Sequence, residues 1–318
     1  MVFAVPTPNS AGIPGNSISQ NVGTARNNGL EFALSGDIIR AKDFNWGFNA
    51  NFTTLENKIT SLYSVGGVPV TTIPGAYNRI ETGQSLNYLW GWQYVGVNTQ
   101  TGNPMYSKAN GTLVQRNTTN GSFFTAADMN DGNMTTSNPL TDADRVNLGN
   151  SLPTYFGAVT NNFRYKNFSL EFMIRFQGGN KIMNITRQEA LLSQNFHNNG
   201  TEIMNRWKAP GDVTDVPRLR YAQSATVNQT GAAISRFVES GDFVRLQNVV
   251  FSYAFSNQSL SKFSNGYIKN ARVFAQGQNL FMLTNYSGLD PDNASQSGID
   301  NAVSPTLRIL SVGLNVGF

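Results

Sequence analysis

The stretch FNWGFNANF, residues 44–52, decides the fold: Phe44, Trp46, Phe48, Ala50 and Phe52 alternate strictly with Asn45, Gly47, Asn49 and Asn51. Successive side chains of a β-strand point to opposite faces, so this segment carries one apolar face and one polar face. Just upstream, Leu30, Phe32 and Leu34 alternate with Glu31, Ala33 and Ser35, and Arg40-Ala41-Lys42-Asp43 is short enough to close the two segments into a hairpin. The pattern recurs. Val159, Asn161, Phe163 and Tyr165 share a face before Lys166-Asn167, and Phe168, Leu170, Phe172, Ile174 and Phe176 share one after it, opposite Ser169, Glu171, Arg175 and Gln177. Val249, Phe251, Tyr253 and Phe255 stand against Asn248, Ser252 and Ala254, and residues 268–281 supply a further strand. The chain closes with Leu310, Val312, Leu314, Val316 and Phe318 alternating against Ser311, Gly313, Asn315 and Gly317.

A tilted membrane-crossing strand needs roughly 9 to 11 residues, which these segments supply. With weaker candidates at 79–97, 104–114 and 217–222, about ten strands are predicted. The expected fold class is all-β: an antiparallel transmembrane β-barrel portion, the C-terminal strands of a larger barrel. The links are unequal. Residues 40–43 and 166–167 are tight, whereas 99–152, 178–241 and 285–304 are long and rich in Asn, Gly and Asp. Outer-membrane barrels have short periplasmic turns and long extracellular loops. Counting back from a periplasmic C-terminus puts 285–304 outside, 256–267 inside, 178–241 outside and 166–167 inside; the parity of 57–152 stays open. Residues 185–196 could form a short helix within a long loop.

Composition agrees with this reading. Charged residues make up only 13% of 318 residues and aromatic ones 11%. The mean hydropathy of −0.28 and the lack of a long apolar run exclude transmembrane helices, but a wall of alternating polarity averages to a hydrophilic value. Cysteine is absent, which removes disulfides, thiolate metal sites and cysteine nucleophiles. The net charge is +4, yet Lys and Arg are scattered singly, without the basic runs that nucleic acid requires. Residues 1–21 lack a basic n-region and a continuous apolar h-region, so no signal peptide is read there, and Met1 is taken as an internal start within a longer protein.

Six segments, in order, resemble the SusC/RagA-type TonB-linked outer-membrane transporters. They are NVGTARNNGLEFALSG (21–36), ETGQSLNYLWGWQYVGVNTQTGNPMY (81–106), residues 142–184 beginning DADRVNLGNSLPTYFG, RWKAPGDVTDVPRLRY (206–221), ESGDFVRLQNVVFSYAF (239–255) and ARVFAQGQNLFMLTNYSGLDPDN (271–293). The resemblance implies a barrel of about 22 strands with a plug in its lumen, importing glycans or peptides with energy passed from TonB. It makes residues 1–318 the C-terminal part of such a barrel, with plug domain, TonB box and signal peptide absent. The implied partners are a SusD-like lipoprotein, TonB, the barrel-assembly machinery and outer-membrane lipid; the implied location is the outer membrane of a Gram-negative bacterium, with no cofactor. Two other readings remain: a soluble extracellular β-rich binding or adhesion module, in which the aromatic face is a core, and a small passive barrel.

Several residues are candidates for function. Leu314, Val316 and Phe318 resemble the C-terminal signal read by barrel-assembly machinery, and equally suit a last lipid-facing strand. Trp90, Trp92 and Tyr94, at period two, are read as an aromatic belt at the membrane interface in preference to a sugar-stacking platform. Arg206, Trp207, Arg218, Arg220 and Tyr221 could touch substrate or a lid protein, or pack an ordered loop. Asp128-Met129-Asn130-Asp131-Gly132 has calcium-loop elements in compressed spacing, with Pro139 where a bidentate Glu is needed, so a solvated turn is favoured; Asp290-Pro291-Asp292 is read likewise. His197 stands alone in a polar loop, and Asp212 and Asp215 lack the apolar packing that would raise one carboxyl for glycosidase chemistry. No enzyme is predicted.

Overall fold

The computed structural model describes residues 2–196 and 198–318, and its largest ordered surface is a meander of seven antiparallel strands. They are β1 (Glu31–Arg40), β2 (Phe44–Thr54), β3 (Tyr155–Tyr165), β4 (Phe168–Gly178), β5 (Phe243–Ala254), β6 (Asn270–Thr284) and β7 (Ile309–Gly317). Each pairs with its neighbour in chain order, and β1 and β7 are the two free edges. Seven long strands therefore replace the expected ten. Residues 79–97 divide into strands Asn78–Glu81 and Tyr88–Val97, residues 104–114 into Pro104–Ser107 and the start of Leu113–Arg116, and 217–222 form no strand. The reason is turn chemistry: Thr82-Gly83-Gln84 and Ala109-Asn110-Gly111 break each run, with Gly83 and Gly111 at positive φ.

Register keeps the two faces of the sheet apart. Phe163 lies opposite Trp46 and Leu170, and Phe172 opposite Asn161 and Val249, so the alternating apolar residues fall on one side. Near the tight turns that side carries packed rings: Trp46 stacks on Phe163, Phe163 on Phe172 and Phe168 on Phe251, while Phe44 meets Phe163 and Phe168 meets Tyr253 at a tilt. No described residue covers it at the β7 edge, where Leu310, Val312 and Leu314 are 79%, 82% and 63% exposed. Register shifts at Asp37/Ile39 and at Leu246/Asn248 let the alternation skip a residue without flipping the rest of the strand.

All the tight connections lie at one end of the sheet: residues 41–43, 166–167, and 255–269, which hold a helix at Asn257–Ser264. All the long excursions, 55–154, 179–242 and 285–308, leave from the other end. The segment 57–152, whose parity the sequence left open, is thus one excursion between adjacent strands, closed at its base by Leu55 N–H donating to Thr154 O. The expected helix at 185–196 shrinks to a single π-helical turn, Thr186–Leu191.

The excursions fold into a cap with its own core. Strands Tyr88–Val97, Pro104–Ser107, Leu113–Arg116 and Phe123–Ala126 form a second sheet, and Ala233–Ile234 from the second excursion adds to Tyr88–Val97 in parallel. Gly91 is required there, because a Cβ would lie 2.1 Å from Ala233 O. Leu89, Tyr106, Val114, Met183, Ile234 and Phe237 are buried together between the sheet and the second excursion. The third joins at Ile299–Asp300, parallel to Lys181–Asn184.

Candidate functional site

Two surfaces hold the chemistry: the polar face of the seven-stranded sheet and the cap that closes its loop end. The polar face is built by the residues between the apolar ones. Near the tight turns it forms a groove of about 810 Å³ whose polar lining includes Ser35, Asp37, Arg40, Asn49, Asn162, Arg164, Glu171 and Arg272. Hydroxyls, amides and charges of both signs suit a hydrated passage, and Asp37 pairs with Arg40 across the bulge.

Nearer the loop end, Arg175 of β4 and Arg245 of β5 stand directly opposite one another, an arrangement of like charges that repels. The third excursion supplies the compensation. Asp292 binds Arg175 through two bonds, Nη1 to Oδ2 at 2.6 Å and Nη2 to Oδ1 at 3.0 Å, and Asp290 Oδ1 accepts from Arg245 Nη2 at 2.5 Å. Both guanidinium groups also lie over the ring of Phe243, at 5.4 and 5.2 Å. Burial pushes the Asp290 carboxyl up, but the N–H groups of Thr306 and Asp292 and the charge of Arg245 outweigh this and hold it below the usual carboxylate range. These aspartates are therefore not the solvated turn expected from the sequence; the long-range partners lie 45 and 117 residues away and leave no local signal.

A second ionic cluster organises the cap. Arg187 donates to Glu202 at 2.7 and 2.8 Å and to Glu239 at 3.1 Å, while Arg236, with a side chain only 4% exposed, donates to Glu202 at 2.9 Å. Glu239 in turn accepts from Ser287 N–H and Oγ–H of the third excursion. Burial raises the Glu202 carboxyl, yet the bonds and charges of the two arginines prevail and hold it low. Tyr106, buried against Tyr94 and Phe123, has its hydroxyl pushed up to about 12 by desolvation.

The sequence candidates fall within this frame. Trp90, Trp92 and Tyr94 lie on strand Tyr88–Val97 of the cap, not on the seven-stranded sheet. Trp92 is 8% exposed and its Nε1 donates to Thr141 O; Tyr94 Oη donates to Asp215 O; Trp90 is covered by the Arg79 guanidinium at 4.5 Å. The belt reading is corrected accordingly: these rings pack the cap, and the rings that meet on the seven-stranded sheet are others, Phe44, Trp46, Phe163, Phe168 and Tyr253 among them. Trp207 is also internal, with Nε1 donating to Thr99 O and Arg218 over its ring at 5.4 Å. Arg206 and Arg220 are half-buried, and Tyr221 is 70% exposed.

Asp131 accepts from the N–H groups of Ala127 and Asn133, and Asp128 from that of Asn130, so these oxygens shape the turn. Asp212 does the same for Lys208 and Ala209, and Asp215 lies 4.0 Å from Arg236. His197 lies outside the described residues. Leu314 and Val316 take the apolar face of β7, and Phe318 follows it, 81% exposed.

No family model matches the chain. The TonB-dependent receptor P3 of Formosa agariphila is 30% identical over the whole chain, which covers 31% of that protein. The TonB-dependent receptor SusC of Bacteroides thetaiotaomicron is 24% identical over 95% of the chain and 27% of its own length. In fold, the whole chain superposes on 32% of a chain in the structure of the RagAB peptide transporter, with a TM-score of 0.76 and 23% identity. The chain thus spans about a third of the length of the relatives it matches. From end to end the chain is similar to about a third of these TonB-dependent receptors, on a meander of the RagAB kind.

Proposed function

We propose that this chain is the C-terminal part of the barrel of an outer-membrane, TonB-dependent importer of glycans or peptides. The observation that carries the reading is the sheet: one face apolar and largely bare, the other polar and grooved, with every long excursion at one end. Lipid covers the apolar face, the polar face lines a wet lumen, and the cap lies outside the cell. Two bare edges, β1 and β7, carry unpaired backbone groups that a hydrocarbon environment does not tolerate, which supports closure by strands from a longer chain. A soluble module would instead leave the β7 stripe of Leu310, Val312 and Leu314 in water.

Of the residues expected to meet substrate or a lid, Tyr221 is the exposed member, so it carries the proposed contact with substrate or a SusD-like lipoprotein, with Arg206 and Arg220 beside it and Trp207 and Arg218 bracing them. TonB acts through parts of the protein outside this chain. The barrel-assembly machinery reads Leu314, Val316 and Phe318. Deletion of Phe318 tests the membrane reading: outer-membrane yield, measured as a heat-modifiable band in washed membranes, is expected to collapse, and full yield would count against it. Uptake of labelled oligosaccharides against labelled oligopeptides decides the substrate class.

A further inference from the structure

The third excursion, residues 285–308, touches both halves of the molecule. At its base it is fixed to the wall: Asp290 on Arg245 and Asp292 on Arg175, with Asp290 Oδ2 also accepting from Thr306 N–H so that the outgoing and returning limbs are held together. At its tip it is sewn to the second excursion, where Met183 N–H donates to Gly298 O, Ala302 N–H to Thr186 Oγ1, and Ile299–Asp300 pairs with Lys181–Asn184. The tip is therefore joined to the cap mostly by backbone bonds, and the base to the wall mostly by charge.

We propose that residues 285–308 act as a charge latch between cap and wall. The two carboxylates are the only described partners of charge opposite to Arg175 and Arg245, so lifting the strap leaves two facing guanidinium groups uncompensated on the polar face. That arrangement makes the latched state stiff, because the Arg245–Asp290 pair is buried, its side chains 4% and 5% exposed, and removing one partner of such a pair strands the other charge. It also makes cap and wall move together: the tip cannot follow the cap outward until both ion pairs break. Once they break, the wall presents a double cation to whatever occupies the lumen. The proposal rests on the importer reading for its meaning, since only there does a lumen lie beneath the strap, but its geometry is independent of transport.

Cysteine is absent from this chain, so a cysteine placed in it is its one thiol, and the full protein carrying no added cysteine gives the labelling background. Pro291, between the two aspartates, is buried, and Ser295 is exposed. Pro291→Cys is labelled with a membrane-impermeant maleimide in intact cells producing the full protein, with Ser295→Cys as the accessible control. The latch predicts slow labelling at position 291, and a rise of about tenfold when Asp290→Asn and Asp292→Asn are added at equal heat-modifiable yield. Where the double variant fails to insert, Asp292→Asn alone is measured, with about a threefold rise expected. An unchanged rate in either inserted variant overturns the latch, as does labelling of position 291 in the parent as fast as position 295. Labelling needs no uptake, so failure of import and failure of the latch are read separately.

Discussion

The seven-stranded wall and the cap are made from the same chain, but they solve burial in opposite ways. In the wall, hydrogen bonds run from strand to neighbouring strand, and the apolar residues face outward with little of the protein over them. In the cap, apolar residues face inward around Leu89, Tyr106 and Phe237, and buried polar groups are bonded across long separations: Gln188 Nε2 reaches the carbonyls of Asn228, Gln229 and Ala232. The wall is organised for an apolar surrounding and the cap for an aqueous one. A substitution should therefore change sign or size according to which region receives it.

The largest expected effect is in the cap. Glu202→Ala removes the carboxylate that Arg187 and the buried Arg236 both hold, and breaking such a pair costs about 3–5 kcal/mol. Limited proteolysis of membranes should cut the second excursion in the variant and leave the wall strands intact; resistance equal to the parent would show that the ionic cluster does not hold the cap. Next is the wall. Phe172→Arg puts a cation on the apolar face of β4, at about 2–4 kcal/mol near the bilayer midplane, whereas Met173→Arg, on the polar face one residue on, is tolerated. Equal outer-membrane yields for the two would erase the distinction between the faces.

The wall was legible because period two is a local signal, and residues 44–52, 168–176 and 310–318 carry it without help from distant partners. The same signal misled at Trp90, Trp92 and Tyr94. Alternation says that two faces differ, not what covers them. The neighbours tell the cases apart: Tyr88 and Leu89 are as buried as Trp92, so the first half of the strand is covered on both sides, and it reads YLWGWQYVGV, nearly continuously apolar, unlike FNWGFNANF. The latch and the Arg187–Glu202–Arg236 cluster were not legible, since the latch joins the third excursion to β4 and β5, and the cluster joins residues 15 and 34 apart within the second excursion. The one available hint was arginine at 175 and 245, directly opposite one another on the polar faces of β4 and β5.

Acidification separates the regions more gently. Glu202 is held low in the folded cap, so its contribution is present above the ordinary glutamate range near pH 4.5 and is lost as pH falls through the depressed folded value. Asp290 follows the same sign. Protease sensitivity of the second and third excursions should rise below about pH 4.5 while the heat-modifiable band persists. Loss of both together would mean that cap and wall unfold as one unit.

The smallest test compares two indole bonds. Trp92 Nε1 donates to Thr141 O at 2.9 Å inside the cap, and Trp46 Nε1 to Asn161 Oδ1 at 3.1 Å on the apolar face of the wall. Trp92→Phe takes the indole donor from a part-buried carbonyl, at about 1 kcal/mol. Trp46→Phe strands an amide in lipid, where measured polar pairs average only about 0.6 kcal/mol because the unfolded chain in the membrane finds partners too. Urea titrations of the reconstituted protein, followed by tryptophan fluorescence, should therefore lower the cap's midpoint in Trp92→Phe more than the wall's in Trp46→Phe. The reverse order would mean that the Trp46 and Asn161 side chains meet across a drier, tighter contact than the cap interior, and that the apolar face of the wall is sealed at that point by something other than lipid.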